Sequence, residues 1–218
     1  MGINFEFATS SRIIFENGSY KKVPGLIKAL GSKVFIVTGK NTTLACQLSE
    51  WLTEINIQYK IFCIHSEPTT TDIEHGTDLA RKTQFNVVAG IGGGSVIDSA
   101  KAIAALAPNK GEVTDYLEVI GKGRKLEETP LPCIAIPTTA GTGAEVTKNS
   151  VIKSTEHNVK VSLRSDLMYP NLAVIDPVLT LTMPPALTAT TGVDALTHLL
   201  ETYVSINANP FIDMICRE

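Results

Sequence analysis

No uninterrupted apolar run in this 218-residue chain reaches the roughly 18 residues that a helix needs to cross a bilayer. A membrane-spanning protein is therefore not expected. The opening residues, Met1-Gly2-Ile3-Asn4-Phe5-Glu6, lack the basic segment and apolar stretch of a secretory leader, and Glu6 stands where a myristoylation signal has Ser or Thr. The four cysteines, Cys46, Cys63, Cys133 and Cys216, form no Cys-x-x-Cys pair and have no His at zinc-finger spacing. Free thiols in a reducing cytoplasm are expected. There is no basic stripe either. Nineteen Lys and Arg against 22 Asp and Glu are scattered along the chain, and the net charge of −3 lacks the footprint of a nucleic-acid binder. What remains is a cytoplasmic protein whose partner is a small molecule.

The residues that are present have globular proportions, 44% hydrophobic and 19% charged, enough for one large domain or for one domain and part of another. Two β-prone runs, Ile3 to Phe7 and Arg12 to Phe15, flank Thr9-Ser10-Ser11 and predict a hairpin. Val23, Leu26, Ile27 and Leu30 recur at helical spacing up to Gly31, which is placed as a C-cap. From there apolar strands and helical patterns alternate. Lys33 to Thr38 reads as strand, Leu44 to Ile55 as helix, Gln58 to Ile64 as strand, Asp72 to Lys82 as helix and Asn86 to Ile91 as strand. Ile134 to Ile136 and Leu172 to Ile175 add two strands, and Ser150 to Ser154 with Asn158 to Leu163 suggests a β-ribbon. This order predicts an α/β fold, a doubly wound parallel sheet of Rossmann type with ligands at the carboxyl ends of its strands. Character changes at Met183-Pro184-Pro185, where a helical segment begins, so we expect an α/β dinucleotide-binding domain over 1–180 and the start of a second, helical domain over 181–218.

Gly90-Ile91-Gly92-Gly93-Gly94-Ser95 lies between an apolar strand and a helical run. Glycines let the backbone approach a pyrophosphate, and the N–H groups at a helix start stabilise negative charge. Ser95 and Asp98 would form a capping box there. The plainer alternative is that the glycines only make a tight turn. At the end of the earlier strand, Thr38-Gly39-Lys40 should reach the same crevice, with Gly39 where an acidic residue would bind a ribose hydroxyl. Pro137 to Thr147 collects hydroxyls and glycines after another strand, either as close donors to a diphosphate or as a solvated turn bonding its own backbone. Asp194 and His198 stand at i and i+4 on one helix face, where both reach one ion or bond each other. His65, His75 and His157 are assigned no chemistry.

Three ordered motifs resemble the iron-containing alcohol dehydrogenases. They are Gly92-Gly93-Gly94-Ser95-x-x-Asp98-x-Ala100-Lys101, then Pro137 to Val146, then Gly192-Val193-Asp194-Ala195-Leu196-x-His198. The resemblance implies an enzyme that interconverts an alcohol and an aldehyde or ketone by hydride transfer with NAD or NADP at Fe²⁺ or Zn²⁺, the affinity order favouring zinc. It implies that Gly92, Gly93, Gly94 and Ser95 hold the pyrophosphate, with Asp98, Thr38, Gly39 and Lys40 adding to the cofactor site. Thr138, Thr139 and Thr142 would flank the diphosphate and nicotinamide, and Lys160 and Leu179 would border the nicotinamide end. Asp194 and His198 would be two of four metal ligands. The other two would be downstream histidines, and residues 199–218 contain none. We therefore expect a fragment or a shortened member carrying half of the ligand set. A homodimer through the N-terminal strands, or a higher homo-oligomer, is implied as well. The alternatives are a polyol or glycerol dehydrogenase, a maleylacetate-reductase-like enzyme, or a dinucleotide-binding module without turnover. The Asp194/His198 pair favours the alcohol dehydrogenase branch among them.

Overall fold

The computed structural model describes residues 5–217. In chain order its elements begin with β1 (Ile13–Phe15), α1 (Val23–Leu30), β2 (Lys33–Thr38), α2 (Thr43–Glu54), β3 (Gln58–Cys63), α3 (Thr70–Thr83), β4 (Val87–Gly92) and α4 (Gly94–Leu106). They continue with α5 (Val113–Tyr116), β5 (Cys133–Pro137), β6 (Asn149–Ser154), β7 (Val159–Arg164), β8 (Leu172–Ile175), α6 (Pro185–Tyr203) and α7 (Pro210–Arg217). Six strands form one sheet in the order β1-β8-β5-β4-β2-β3, and every pairing in it is parallel. β6 and β7 make a separate antiparallel ribbon.

Strand side chains alternate between faces, and here both faces are covered. Val34 and Ile36 of β2 join Ala45, Leu48 and Leu52 of α2 in one core. Phe35 and Val37 point the other way, into a second core with Ala80 of α3 and Ile103 of α4. Hence the strands read as continuous apolar runs. α4 itself is buried nearly all round because it lies between the sheet and the ribbon. Gly90 permits that closeness: a Cβ there would stand 2.8 Å from the Ala100 Cβ.

The chain runs outward from β2 to β3 and then returns past β2 to β4, so the order reverses between β2 and β4. Such a switch point opens a crevice at the strand carboxyl ends. Thr38 and Gly92 end those two strands.

Among the described residues the expected N-terminal hairpin is not seen. Residues 5–7 carry no strand, Ile3 and Asn4 lie outside the described residues, and β1 pairs in parallel with β8. The β-prone character of Arg12 to Phe15 is used across 160 positions of sequence, Ile13 opposite Ala173, which a local reading of turn residues does not reveal. Gly31 is the C-cap of α1, but in extended backbone with φ 178°. Its small size is required by Asn86, whose side chain fills the space a Cβ would take.

Candidate active site

β4 ends at Gly92 and α4 starts at Gly94, so the glycine turn joins sheet to helix with Gly93 as the N-cap. No side chain caps this helix, and its first turn holds no acidic residue. The expected capping box of Ser95 and Asp98 is thus absent. Ser95 lies inside the first turn, while Asp98 turns to the ribbon: its Oδ2 accepts from the Val151 N–H at 3.0 Å, and its Oδ1 is 3.1 Å from Lys101 Nζ. Val96 and Ile97 donate their N–H groups to Gly93 O at 3.0 and 3.1 Å, so the N–H groups open to an anion are those of Gly94 and Ser95 at the very start, with the helix dipole behind them.

The glycine turn separates two clefts. One, of 650 Å³, is lined by Gly39, Gly92, Gly93, Thr138, Thr139 and Leu179 together with the apolar Leu44, Val178 and Leu187. The other, of 560 Å³, is lined by Gly94, Ser95, Asp98, Thr142, Lys160, Asp194 and His198. Gly94 lies at the divide, and a Cβ on it would come within 2.9 Å of Thr142 Cγ2. Lys160 and Leu179, expected together at the nicotinamide end, line different clefts. The ribbon carries Lys160 over one cleft, where its ammonium pairs with Glu67, and the turn after β8 puts Leu179 in the other. Thr38 is buried at the end of β2, and Lys40 is exposed beside the first cleft's Gly39.

The threonine loop spans the divide. Thr138 donates its N–H to Gly92 O at 3.0 Å, so the loop leaves β5 tied to the glycine turn. Further along, Gly141 packs against the backbone of Thr191 so closely that a Cβ would lie 2.6 Å from the Thr191 oxygen. Through this contact α6 borders the second cleft, which Asp194 and His198 line together with Ser95.

The His198 Nε2 lies 3.8 Å from Asp194 Oδ1, beyond hydrogen-bond range, and the two side chains are 53% and 43% exposed. A buried histidine oriented by an Asp hydrogen bond is not what this geometry gives. One carboxylate oxygen and one imidazole nitrogen, both free and on one face, suit a borderline divalent cation such as Fe²⁺ or Zn²⁺. Two donors alone do not complete a catalytic metal site. Among the described residues no third His, Cys, Asp or Glu completes a metal-holding group with them.

Lys101 was not singled out for a role of its own by the sequence reading. Its side chain is fully buried, and its Nζ donates to Ala144 O at 2.8 Å, Thr147 Oγ1 at 2.9 Å and Thr147 O at 3.3 Å. The signal was available: a lysine inside an otherwise small and apolar helical run, three residues after an aspartate. Burial pushes the Asp98 carboxyl above its ordinary range, opposed by the Lys101 ammonium and the Val151 N–H.

Residues 10–177 match the family model of the iron-containing alcohol dehydrogenases, and residues 188–218 match the model of that family's C-terminal part. The chain belongs to the iron-containing alcohol dehydrogenase family. It is 37% identical over 217 residues to a sulfoacetaldehyde reductase of Bilophila wadsworthia, covering 97% of this chain and 55% of that protein. A long-chain-alcohol dehydrogenase of Geobacillus thermodenitrificans is 39% identical over 193 residues, 86% of this chain and 48% of its own length. Among solved structures, a 1,3-propanediol oxidoreductase superposes with a TM-score of 0.90 at 32% identity, over 98% of this chain and 56% of that one. A sulfoacetaldehyde reductase of Bifidobacterium kashiwanohense in complex with NAD⁺ gives 0.88 at 30% identity, over 99% and 57%. The chain thus spans about half the length of the curated relatives it matches. The fold is the α/β, Rossmann-like one of this family.

Proposed function

We propose that this protein interconverts an alcohol and an aldehyde or ketone by hydride transfer with a nicotinamide dinucleotide bound across the glycine turn. The observation that carries the reading is the pair of clefts on either side of an uncapped helix start, one of them holding Asp194 and His198. In this reading the pyrophosphate rests on the N–H groups of Gly93, Gly94 and Ser95. The adenosine half enters the cleft of Gly39 and Leu179, whose apolar wall suits a base. The nicotinamide half enters the cleft of Thr142, Lys160, Asp194 and His198. Asp98 supports that cleft from behind, and Thr138 and Thr139 flank the diphosphate.

Asp194 and His198 would hold a divalent cation there, which would supply Lewis acidity for the substrate oxygen beside a nicotinamide able to exchange a hydride. Asp194 and His198 contribute two donors for the cation and point it at the cleft. Lys160, released from Glu67, offers an ammonium to a ribose or phosphate oxygen. The threonine loop excludes water from one side of the reacting atoms.

Gly39 leaves no carboxylate to repel a 2′-phosphate, and Lys40 adds a nearby positive charge, so NADP(H) is accepted beside NAD(H). The metal is Fe²⁺ or Zn²⁺, with zinc favoured by affinity when both are offered. The four free cysteines fit a reducing, cytoplasmic setting. No helix among the described residues is long and apolar enough to cross a membrane. β1, at the sheet edge with Phe15 exposed, suits pairing with a second copy as a homodimer.

A second reading is a dinucleotide-binding protein without turnover. Reconstitution with Fe²⁺ or Zn²⁺, followed by alcohol oxidation with NAD⁺ read as the absorbance of reduced nicotinamide, separates the two. Metal-dependent turnover above the metal-free background, however slow, supports the first, and dinucleotide binding with none at saturating metal supports the second and removes the first.

A further inference from the structure

The threonine loop and the ribbon that follows it both line the cleft that holds Asp194 and His198, and neither belongs to the main sheet. Something must fix the distance between them. One ion pair inside α4 bonds to both walls. Lys101 reaches the loop, where its ammonium donates to Ala144 O at 2.8 Å and to Thr147 Oγ1 at 2.9 Å. Asp98 reaches the ribbon, accepting from the Val151 N–H at 3.0 Å, while its backbone oxygen accepts from the Ser150 hydroxyl at 2.8 Å. The two side chains meet at 3.1 Å.

The arrangement saturates the groups involved. Three ammonium hydrogens meet the Asp98 carboxylate, the Ala144 carbonyl and the Thr147 residue, and none is left for solvent because the Lys101 side chain is fully buried. Burying a charge this deeply is costly unless it is paired and hydrogen-bonded, and breaking the pair from one side strands the other partner. A Leu or Met at position 101 would satisfy packing between sheet and ribbon with less risk. The ammonium is explained by what it holds.

We infer that the Asp98–Lys101 pair is a positioning device that sets the separation of the loop and ribbon walls, and so prepares the cleft for the nicotinamide half of the cofactor. The pair touches neither the adenosine cleft nor its lining at Gly39 and Leu179. Its effect is therefore confined to one half of the dinucleotide. This inference rests on the proposed lie of the dinucleotide across the glycine turn.

The test compares two probes on the same protein. NADH is titrated by the fluorescence of its nicotinamide, and ADP, which lacks the nicotinamide half, by calorimetry. In Lys101→Met the affinity for NADH should fall at least about tenfold and the fluorescence enhancement on binding should diminish, while the ADP affinity stays within about twofold. An unchanged NADH affinity in a folded Lys101→Met variant overturns the inference. An equal loss of NADH and ADP also overturns it, since that is the mark of a general loss of structure. Should Lys101→Met fail to fold, Thr147→Val and Thr147→Ser decide: Val should lose NADH selectively and Ser, which keeps the hydroxyl, should restore it. Equal behaviour of the two variants overturns the inference. If the unaltered protein binds neither probe, the dinucleotide reading itself fails and the inference falls with it. If ADP binds normally and only the variant prediction fails, the dinucleotide reading survives alone.

Discussion

Nε2 of His198 and Oδ1 of Asp194 lie 3.8 Å apart on successive turns of α6, above the cleft that Gly94 and Ser95 floor. Neither is spent on the other, so both are free to meet one cation. Catalytic zinc sites generally use three protein donors, and two should hold metal weakly. We expect the 218-residue chain to bind Zn²⁺ or Fe²⁺ only loosely and to turn over simple alcohols well below about 1 s⁻¹. Asp194→Ala or His198→Ala should lower the remaining metal affinity at least about tenfold. Metal analysis after dialysis checks this. Stoichiometric metal retained by either variant would contradict the assignment.

Gly94 sits where a side chain would meet Thr142 and, in the proposed function, the pyrophosphate. Two variants separate those effects. Gly94→Ala adds only the clash with Thr142, at 2.9 Å, and should weaken NADH modestly. Gly94→Asp adds a carboxylate against the phosphates. Like charges about 4 Å apart near a protein surface repel by ~4 kcal/mol, so a loss of roughly 100-fold or more is expected by calorimetry. Equal affinities of the Ala and Asp variants would remove the phosphate from this turn.

At Gly39 the space is open, since a Cβ would meet only Val96 Cγ2 at an ordinary 3.7 Å. An aspartate therefore fits without distortion. Gly39→Asp should lower NADPH affinity at least about tenfold while leaving NADH close to unchanged, with the contrast largest at low salt. Weak NADPH beside firm NADH in the unaltered protein would show that Lys40 contributes nothing and that the glycine does not admit the 2′-phosphate.

Much of this was legible beforehand, and the reasons are local. The strands of the main sheet are covered on both faces, so Lys33 to Thr38 and Asn86 to Ile91 stand out as short apolar runs within a residue or so of their observed limits. The glycine turn and the Asp194/His198 pair were visible because their chemistry lies within a few positions of sequence. What escaped were relations between distant segments. β1 pairs with β8, and Asp98 bonds Val151 when a capping role within its own turn was the simpler expectation. Lys160 and Leu179 parted because the ribbon and the turn after β8 lie on opposite sides of a glycine that sequence spacing cannot orient. The start of α3 was recoverable, since Thr69 and Asp72 form a reciprocal capping box that places the first turn two residues before Asp72.

Cys133 is wholly buried on β5, and burial pushes its thiol up to about 12 from 9.0. The sign of the pH effect follows. Below pH 9 the thiol is protonated in both folded and unfolded chains and contributes no dependence. Between pH 9 and about 12 the unfolded chain loses the proton first, so stability falls with rising pH by about 1.4 kcal/mol per unit. Tyr20, raised by burial as well, adds to the fall above pH 10. Urea unfolding at pH 7 and pH 11 should show a loss about 2–3 kcal/mol smaller in Cys133→Ala than in the unaltered protein. Identical losses would mean that the thiol is not held neutral. Cys46, exposed on α2, should react with iodoacetamide in the native protein while Cys133 stays protected.

In the proposed function one dinucleotide straddles the glycine turn with its two halves in different clefts. A crystal structure of the protein with bound NAD⁺ would locate both halves. The adenine is expected against Gly39 and Leu179, the pyrophosphate on the N–H groups of Gly93 to Ser95, and the nicotinamide between Lys160 and the Asp194/His198 pair. An adenine found in the cleft of Asp194 and His198, or a pyrophosphate bound away from the start of α4, would contradict it.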